Sequence, residues 1–245
     1  YFFGCFLTAE AVARGKTAKS ACRIGSGNPG TANMTALFGL KWGIVTLAGD
    51  GGKTMAACAL CRYVLFPNLG RKAVLYAGLG TAIGHGYPFW NRFKGGKSVA
   101  VTCTYLFLFS PLWGAASELA GLLLRAVTGY PTVGALAIPT LYLVPAFRIG
   151  GKETGWVVLT ATVLLLLLHW ESLCRMRFGI GAAEAKNFPE KAIRTGLRHY
   201  RKKDETAAAV SSLLCRLLFC GFFFLFQERQ KFVRRRSGFA DYFLQ

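Results

Sequence analysis

"VVLTATVLLLLLH", residues 157–169, holds no charged side chain before its closing histidine. A helix crossing a bilayer core needs roughly 20 mostly apolar residues, and this block supplies most of one. The same character returns in "LFGLKWGIVTLAG" at 37–49, which runs on through "MAACALCRYVLF" at 55–66. Soluble domains carry their apolar residues in amphipathic stripes, whereas here they come in blocks joined by short turns. The composition agrees, with 245 residues, 53% of them hydrophobic and 17% charged, and a mean hydropathy of +0.37. We expect an all-α integral membrane protein.

Reading outward from that block, the chain predicts about seven helices. The first lies in "YFFGCFLTAEAVA". It opens on Tyr1 inside an apolar run, so we expect a helix cut short by a missing start, and no signal peptide. A long helix over about 37–66 follows, then a turn at "PNLGR", residues 67–71, and a third helix over about 72–83. "SVAVTCTYLFLF" forms the fourth, "LWGAASELAGLLLRAV" the fifth and "VGALAIPTLYLV" the sixth. The seventh covers about 155–169 and delivers "HWESLCRMRFG" at its end. Alternating passes put that end on the same side as two polar loops, "RIGSGNPGTANM" at 23–34 and "FKGGKSVA" at 93–100. Basic residues on these three features assign that side to the cytoplasm, against Arg62, Arg71, Arg148 and Lys152 on the other.

The organisation predicted is a membrane domain over 1–185 and a basic extension over 186–245. The extension sets the apolar "AAAVSSLLCRLLFCGFFFLF" between "EKAIRTGLRHYRKKDE" and "RQKFVRRR". Basic flanks on both sides disfavour an eighth span, so we read a segment lying on an anionic lipid surface. The formal net charge of +19 finds its counterpart in membrane lipids. Nucleic acid is not expected, since basic and aromatic residues are not interleaved in a soluble domain. The eight cysteines are scattered through apolar segments. Cys58 and Cys61 form the one close pair, with no histidine beside them, and read as small buried residues before any metal or redox site.

The loops carry the chemistry. Gly25, Gly27 and Gly30 let backbone N–H groups turn into one hollow, with Ser26 and Asn28 as further donors and Arg23 as a full charge. A helix starting just beyond adds its N-terminal N–H groups, so the loop reads as an anion nest or as an ordinary turn. "FKGGK" repeats the pattern, with Lys94 and Lys97 on either side of Gly95-Gly96, and His85 and Asn91 close by in sequence. If the last helix continues, His169, Ser172 and Arg175 follow at steps of three along one stripe. His169 either orients a phosphate or hydroxyl, or caps its helix at the interface. "GDGGK", residues 49–53, sets Asp50 and Lys53 three apart inside a membrane helix. Such charges are expensive there, so they form a structural ion pair or free Lys53 to reach a phosphate.

Taken together, "GSGNPGTAN", "GD..K", "GHGYP...FKGGK" and "H..S..R...G" resemble, in order and spacing, the bacterial acyl-phosphate:glycerol-3-phosphate acyltransferases, the PlsY family. The resemblance covers about residues 1–181. It implies a seven-helix inner-membrane enzyme with its motifs facing the cytoplasm. Such enzymes move a fatty acyl group from acyl phosphate to the 1-hydroxyl of glycerol-3-phosphate, giving lysophosphatidic acid and phosphate. The resemblance puts the first-motif serine on Ser26, among Gly25, Gly27, Asn28, Gly30 and Asn33. It puts the glycerol-3-phosphate loop on Lys94, Gly95, Gly96 and Lys97, the third-motif histidine on His169 and its arginine on Arg175. Thr132 stands where the family often has serine.

Departures from the pattern are specific. "GATN" has become "GTAN", the arginine three residues on is Ala36, the third-motif asparagine is Ser172, and "GGKG" has become "GGKS". The glutamate position holds Gly181, unless Glu184 takes that part through a shift, and Lys41 or Arg23 stands as a substitute for the charge missing at 36. Acyl phosphate is already activated, so neither metal, cofactor nor covalent intermediate is expected. Direct transfer follows, with His169 or a substrate phosphate oxygen as base and Ser26 with loop N–H groups stabilising the oxyanion. Two other classes fit parts of the sequence: an anionic-lipid transporter or flippase, and a non-catalytic lipid-binding paralogue. The first lacks a second polar gate on the opposite side.

Overall fold

The computed structural model describes residues 1–177, so the 186–245 extension, Gly181 and Glu184 lie outside the described residues. Nine α-helices occupy the described residues: α1 (Phe2–Cys5), α2 (Thr8–Thr17), α3 (Thr31–Phe38), α4 (Leu40–Ala59), α5 (Lys72–Gly86), α6 (Val99–Phe109), α7 (Pro111–Thr128), α8 (Pro131–Arg148) and α9 (Gly151–Arg177). Helix α5 is the centre, touching α1, α4, α6 and α9, while α7 and α8 pack on each other and α8 packs on α9. Its sequence is small and apolar all round, and nearly every residue from Ala73 to Gly86 is buried. A helix with no polar face belongs inside.

The bundle is apolar outside, and its largely apolar interior also holds polar and charged residues. Leu112, Val127, Val144, Trp156, Leu119 and Leu122 are each more than half exposed, whereas Thr46, Thr54, Asp50, Lys53 and His85 are buried. Water disfavours such an exterior; lipid matches it. Two of the buried hydroxyls are satisfied within their own helix: Thr46 donates to the Trp42 carbonyl at 2.8 Å and Thr54 to that of Asp50 at 2.7 Å. Small residues let helices close on each other. A Cβ on Gly134 would lie 2.4 Å from the Gly121 carbonyl oxygen, so α7 and α8 meet backbone to backbone.

Three expectations change in detail. The first helix is two helices, broken at Phe6 and Leu7, which are extended. A break frees carbonyls, and irregular backbone inside a membrane protein survives only where other groups bond it. The Trp90 indole Nε1 donates to the Cys5 carbonyl at 2.7 Å, and the Lys53 ammonium to that of Phe6 at 2.6 Å. The long helix expected over 37–66 is divided at Gly39 (φ 87°), and its last turn widens to a π-helix over Leu60–Leu65. One helix among the described residues, over Gly151–Met176, is both long and apolar enough by itself to cross a membrane. The others are interrupted: α4 by Asp50 and Lys53, α8 by Pro139 and Pro145, while α6 has 11 residues, about 16 Å at 1.5 Å per residue.

Candidate active site

The first loop is tied down from both sides. Glu10, buried in α2, accepts from the Ala21 backbone N–H at 2.8 Å and the Ser20 hydroxyl at 3.1 Å, and pairs with Arg14 at 2.7 Å. Asn33, buried in the first turn of α3, accepts the Ser26 N–H at 2.9 Å and donates to the Ile24 carbonyl at 3.2 Å. Its amide is thus spent on the loop itself. Gly25 makes that brace possible. It sits at φ 57°, and a Cβ there would stand 2.2 Å from the Asn33 oxygen. Ser26 is exposed, as are Gly25 and Arg23, with Gly27, Asn28 and Gly30 half-buried.

The second loop rests on the end of α5. The Gly96 N–H donates to the His85 carbonyl at 2.9 Å. A Cβ on Gly95 would meet that same oxygen at 2.0 Å, and one on Gly96 would meet His85 Nε2 at 2.2 Å and the Pro29 carbonyl at 2.8 Å. Only glycines fit there. Pro29 belongs to the first loop, so the two loops pack together at this point. Asn91 makes a second join, reaching Cys22 Sγ at 3.5 Å and the Lys94 carbonyl at 2.6 Å. Arg92, Phe93 and Ser98 hold left-handed backbone around the loop, a conformation that side chains with a Cβ disfavour.

The third feature arrives on α9, which does continue past His169. Lys97 donates to the Ser172 hydroxyl, joining the second loop to α9. Burial pushes the Lys97 ammonium below the usual lysine range; nearby Glu171 raises it and Arg175 lowers it further. Such a cation gains from an incoming anion. One turn earlier, buried His169 sets Nδ1 2.9 Å from the Leu165 carbonyl. A carbonyl only accepts, so Nδ1 carries the proton and Nε2 keeps a lone pair. Arg175 pairs with Glu171.

Other residues singled out from the sequence lie elsewhere. Lys53 gives its three protons to Asp50 at 2.8 Å, the Phe6 carbonyl at 2.6 Å and His85 Nδ1 at 2.8 Å. An ammonium has three donors, so none is left for a phosphate, and the structural alternative for the Asp50–Lys53 pair describes its geometry. Thr132 is buried in the first turn of α8, and no hydrogen bond among the described residues joins it to either loop. Lys94 and Ala36 are exposed. Cys58 is buried against α5, its Sγ 3.5 Å from the Val74 carbonyl.

The sequence reading missed Glu10, Pro29 and Trp90. Glu10 carried a signal, being an acidic residue inside the apolar run of the first helix. Pro29 and Trp90 act through a carbonyl and an indole N–H at positions that no spacing rule marks.

Loops that fold on one another around glycines, with a half-buried lysine and a histidine beside them, lie in a chain that is similar to known proteins. The pattern of the family described as glycerol-3-phosphate acyltransferase matches residues 1–179. Glycerol-3-phosphate acyltransferase 1 of Lactobacillus johnsonii is 40% identical over 171 residues, which are 68% of this chain and 80% of that protein. The Lactobacillus acidophilus counterpart is 38% identical over 181 residues, 74% of this chain and 86% of its own length. Among solved structures, the integral membrane glycerol 3-phosphate acyltransferase PlsY in its glycerol 3-phosphate form superposes with a TM-score of 0.65 at 26% identity. That match covers 74% of this chain and 90% of PlsY. The lysophosphatidic acid form of PlsY gives a TM-score of 0.63 at 25% identity, over 73% and 88%. On a match that spans the whole described bundle and all three motif segments, the chain belongs to the glycerol-3-phosphate acyltransferase family.

Proposed function

We propose that the protein transfers a fatty acyl group from acyl phosphate to the 1-hydroxyl of glycerol-3-phosphate, giving lysophosphatidic acid and inorganic phosphate. The observation that carries this reading is the meeting of three motifs: Pro29 against Gly96 and Lys97 on Ser172. Both substrates bear phosphate, and this cluster offers glycine backbone, an ammonium depressed by burial and the guanidinium of Arg175.

Glycerol-3-phosphate binds at Lys94, Gly95, Gly96 and Lys97, with Arg175 and Ser172 beside its phosphate. Acyl phosphate binds at Gly25, Ser26, Gly27, Asn28 and Gly30, with Arg23 steering it and Asn33 holding the loop. Its hydrocarbon tail runs out among the apolar side chains that cover the bundle. The glycerol hydroxyl attacks the acyl carbonyl, and the C–O bond to phosphate breaks as the new ester forms. The hydroxyl proton leaves to His169 Nε2 or to a substrate phosphate oxygen. Ser26 and neighbouring N–H groups stabilise the oxyanion. Thr132, on its separate helix, is the weakest member of the set.

The seven passes are taken as α1 with α2, then α4, α5, α6, α7, α8 and α9, with the motif loops at the cytoplasmic side of a bacterial inner membrane. Ala36 favours a second reading. It puts an exposed methyl where the resemblance implies an arginine, which suits a paralogue that binds acyl phosphate without turning it over. Labelled glycerol-3-phosphate separates the two. Incorporation into lysophosphatidic acid with palmitoyl phosphate, and none with palmitoyl-CoA, supports the transferase. Binding of palmitoyl phosphate with no incorporation supports the paralogue.

A further inference from the structure

Acyl transfer gives no step to the deeply buried cluster of Asp50, Lys53 and His85. Asp50 and His85 are 2% and 4% exposed and Lys53 is 9%. Asp50 Oδ1 accepts from the Thr8 hydroxyl at 3.1 Å and from Lys53 at 2.8 Å. The Lys53 ammonium also holds the Phe6 carbonyl in the break between α1 and α2. Its third bond, at 2.8 Å, goes to His85 Nδ1. An ammonium has no lone pair, so Nδ1 is the acceptor and the neutral ring carries its proton on Nε2.

That ring lies directly under the glycine pair. A Cβ on Gly96 would come within 2.2 Å of Nε2, and the His85 carbonyl takes the Gly96 N–H at 2.9 Å. One residue therefore touches the loop through its ring edge and its backbone. A different rotamer would drive the ring into Gly96 or leave a void beneath it.

We propose that Lys53 and His85 are positioning residues for the glycerol-3-phosphate loop. Lys53, neutralised by Asp50, fixes the rotamer and tautomer of His85, and the fixed ring sets the height of Gly95 and Gly96 and so the affinity for the glycerol-3-phosphate phosphate. Neither residue touches substrate. The inference rests on the acyltransferase reading and adds a line of action from the broken first helix to the phosphate loop.

The test uses full-length protein in detergent, with palmitoyl phosphate saturating and glycerol-3-phosphate varied. We expect His85→Leu and the neutral pair Asp50→Asn with Lys53→Met each to raise KM about tenfold, as loss of one well-made buried hydrogen bond would. The turnover number stays within about threefold of wild type, because no reacting atom is touched. Combining all three substitutions raises KM no further than either alone, since Lys53 acts through His85. His85→Asn puts an amide oxygen near the place of Nδ1 and recovers most of the affinity. A merely structural role would lower the yield of folded enzyme and leave its KM alone. Unchanged KM in folded variants overturns the proposal, and so does a combined effect of about a hundredfold, the product of two independent ones. Should the neutral pair fail to fold, His85→Leu against His85→Asn decides, because both keep the Asp50–Lys53 pair. If the wild type makes no lysophosphatidic acid, the acyltransferase reading fails. The Kd for glycerol-3-phosphate from ligand-induced thermal shift then decides this inference, with an equal Kd in wild type and His85→Leu overturning it.

Discussion

Asn33 holds Ser26 by its backbone: the Ser26 N–H donates to the Asn33 side-chain oxygen at 2.9 Å, joining the loop to the first turn of α3. The same amide ties the Ile24 carbonyl. Asn33→Ala cuts both bonds and takes the acceptor from the Ser26 N–H, a loss of about 1–3 kcal/mol, while the Ile24 carbonyl keeps the Gly27 N–H at 3.0 Å. We expect kcat/KM to fall about tenfold to a hundredfold through a misplaced serine, measured beside the thermal midpoint. Gly25→Ala does worse, because a Cβ at φ 57° would stand 2.2 Å from that oxygen.

Lys97 gives the pH dependence a sign. Burial holds its ammonium below the ordinary lysine value of 10.5, so the folded state binds fewer protons than the unfolded chain between those two values. Stability therefore rises with pH across that window, as the buried charge is relieved. Phosphate binding runs the other way, since it needs the charged form. We expect KM for glycerol-3-phosphate to climb with pH before ordinary lysines titrate. Lys97→Arg, which stays charged, should remove most of that climb. A parallel climb in both proteins would assign it to another group.

Ser98 stands in left-handed backbone at φ 58°, a conformation that favours glycine, and its hydroxyl donates to the Ala82 carbonyl at 2.7 Å. The hydrogen bond offsets the backbone cost. Ser98→Gly exchanges one for the other and should leave the unfolding midpoint nearly unchanged. Ser98→Ala keeps the strain and loses the bond, costing about 1 kcal/mol in thermal or denaturant unfolding.

Ala36 offers a gain. It is exposed on α3, so Ala36→Arg costs only a few tenths of a kcal/mol in helix propensity. A guanidinium near the first loop adds attraction for acyl phosphate, and we expect kcat/KM for palmitoyl phosphate to rise several-fold with the midpoint unchanged. No rise would mean that Arg23 or Lys41 already fills that part.

How far the sequence is legible depends on what each residue bonds to. Glycine pairs, basic loop residues and the three-residue steps of His169, Ser172 and Arg175 are local patterns, and the helices from Lys72 onward begin within about four residues of where proline, glycine and hydropathy place them. The break at Phe6 is not local. It exists because Trp90 and Lys53, distant in sequence, bond the carbonyls it frees. Lys53 shows the same limit from the other side: a buried charge in the sequence leaves two readings open, and only its three partners in space choose between them. Asn33 enters the sequence reading only through the resemblance, beside the first-motif serine, while the fold turns its amide onto the loop.

The most direct measurement is phosphate release from palmitoyl phosphate by the purified full-length protein, with and without glycerol-3-phosphate, beside Ser26→Ala. The account predicts release that depends on glycerol-3-phosphate and is lost in the Ser26→Ala protein, with palmitoyl transferred in equal amount to the acceptor. Release without the acceptor, or none from folded wild-type protein, would contradict it.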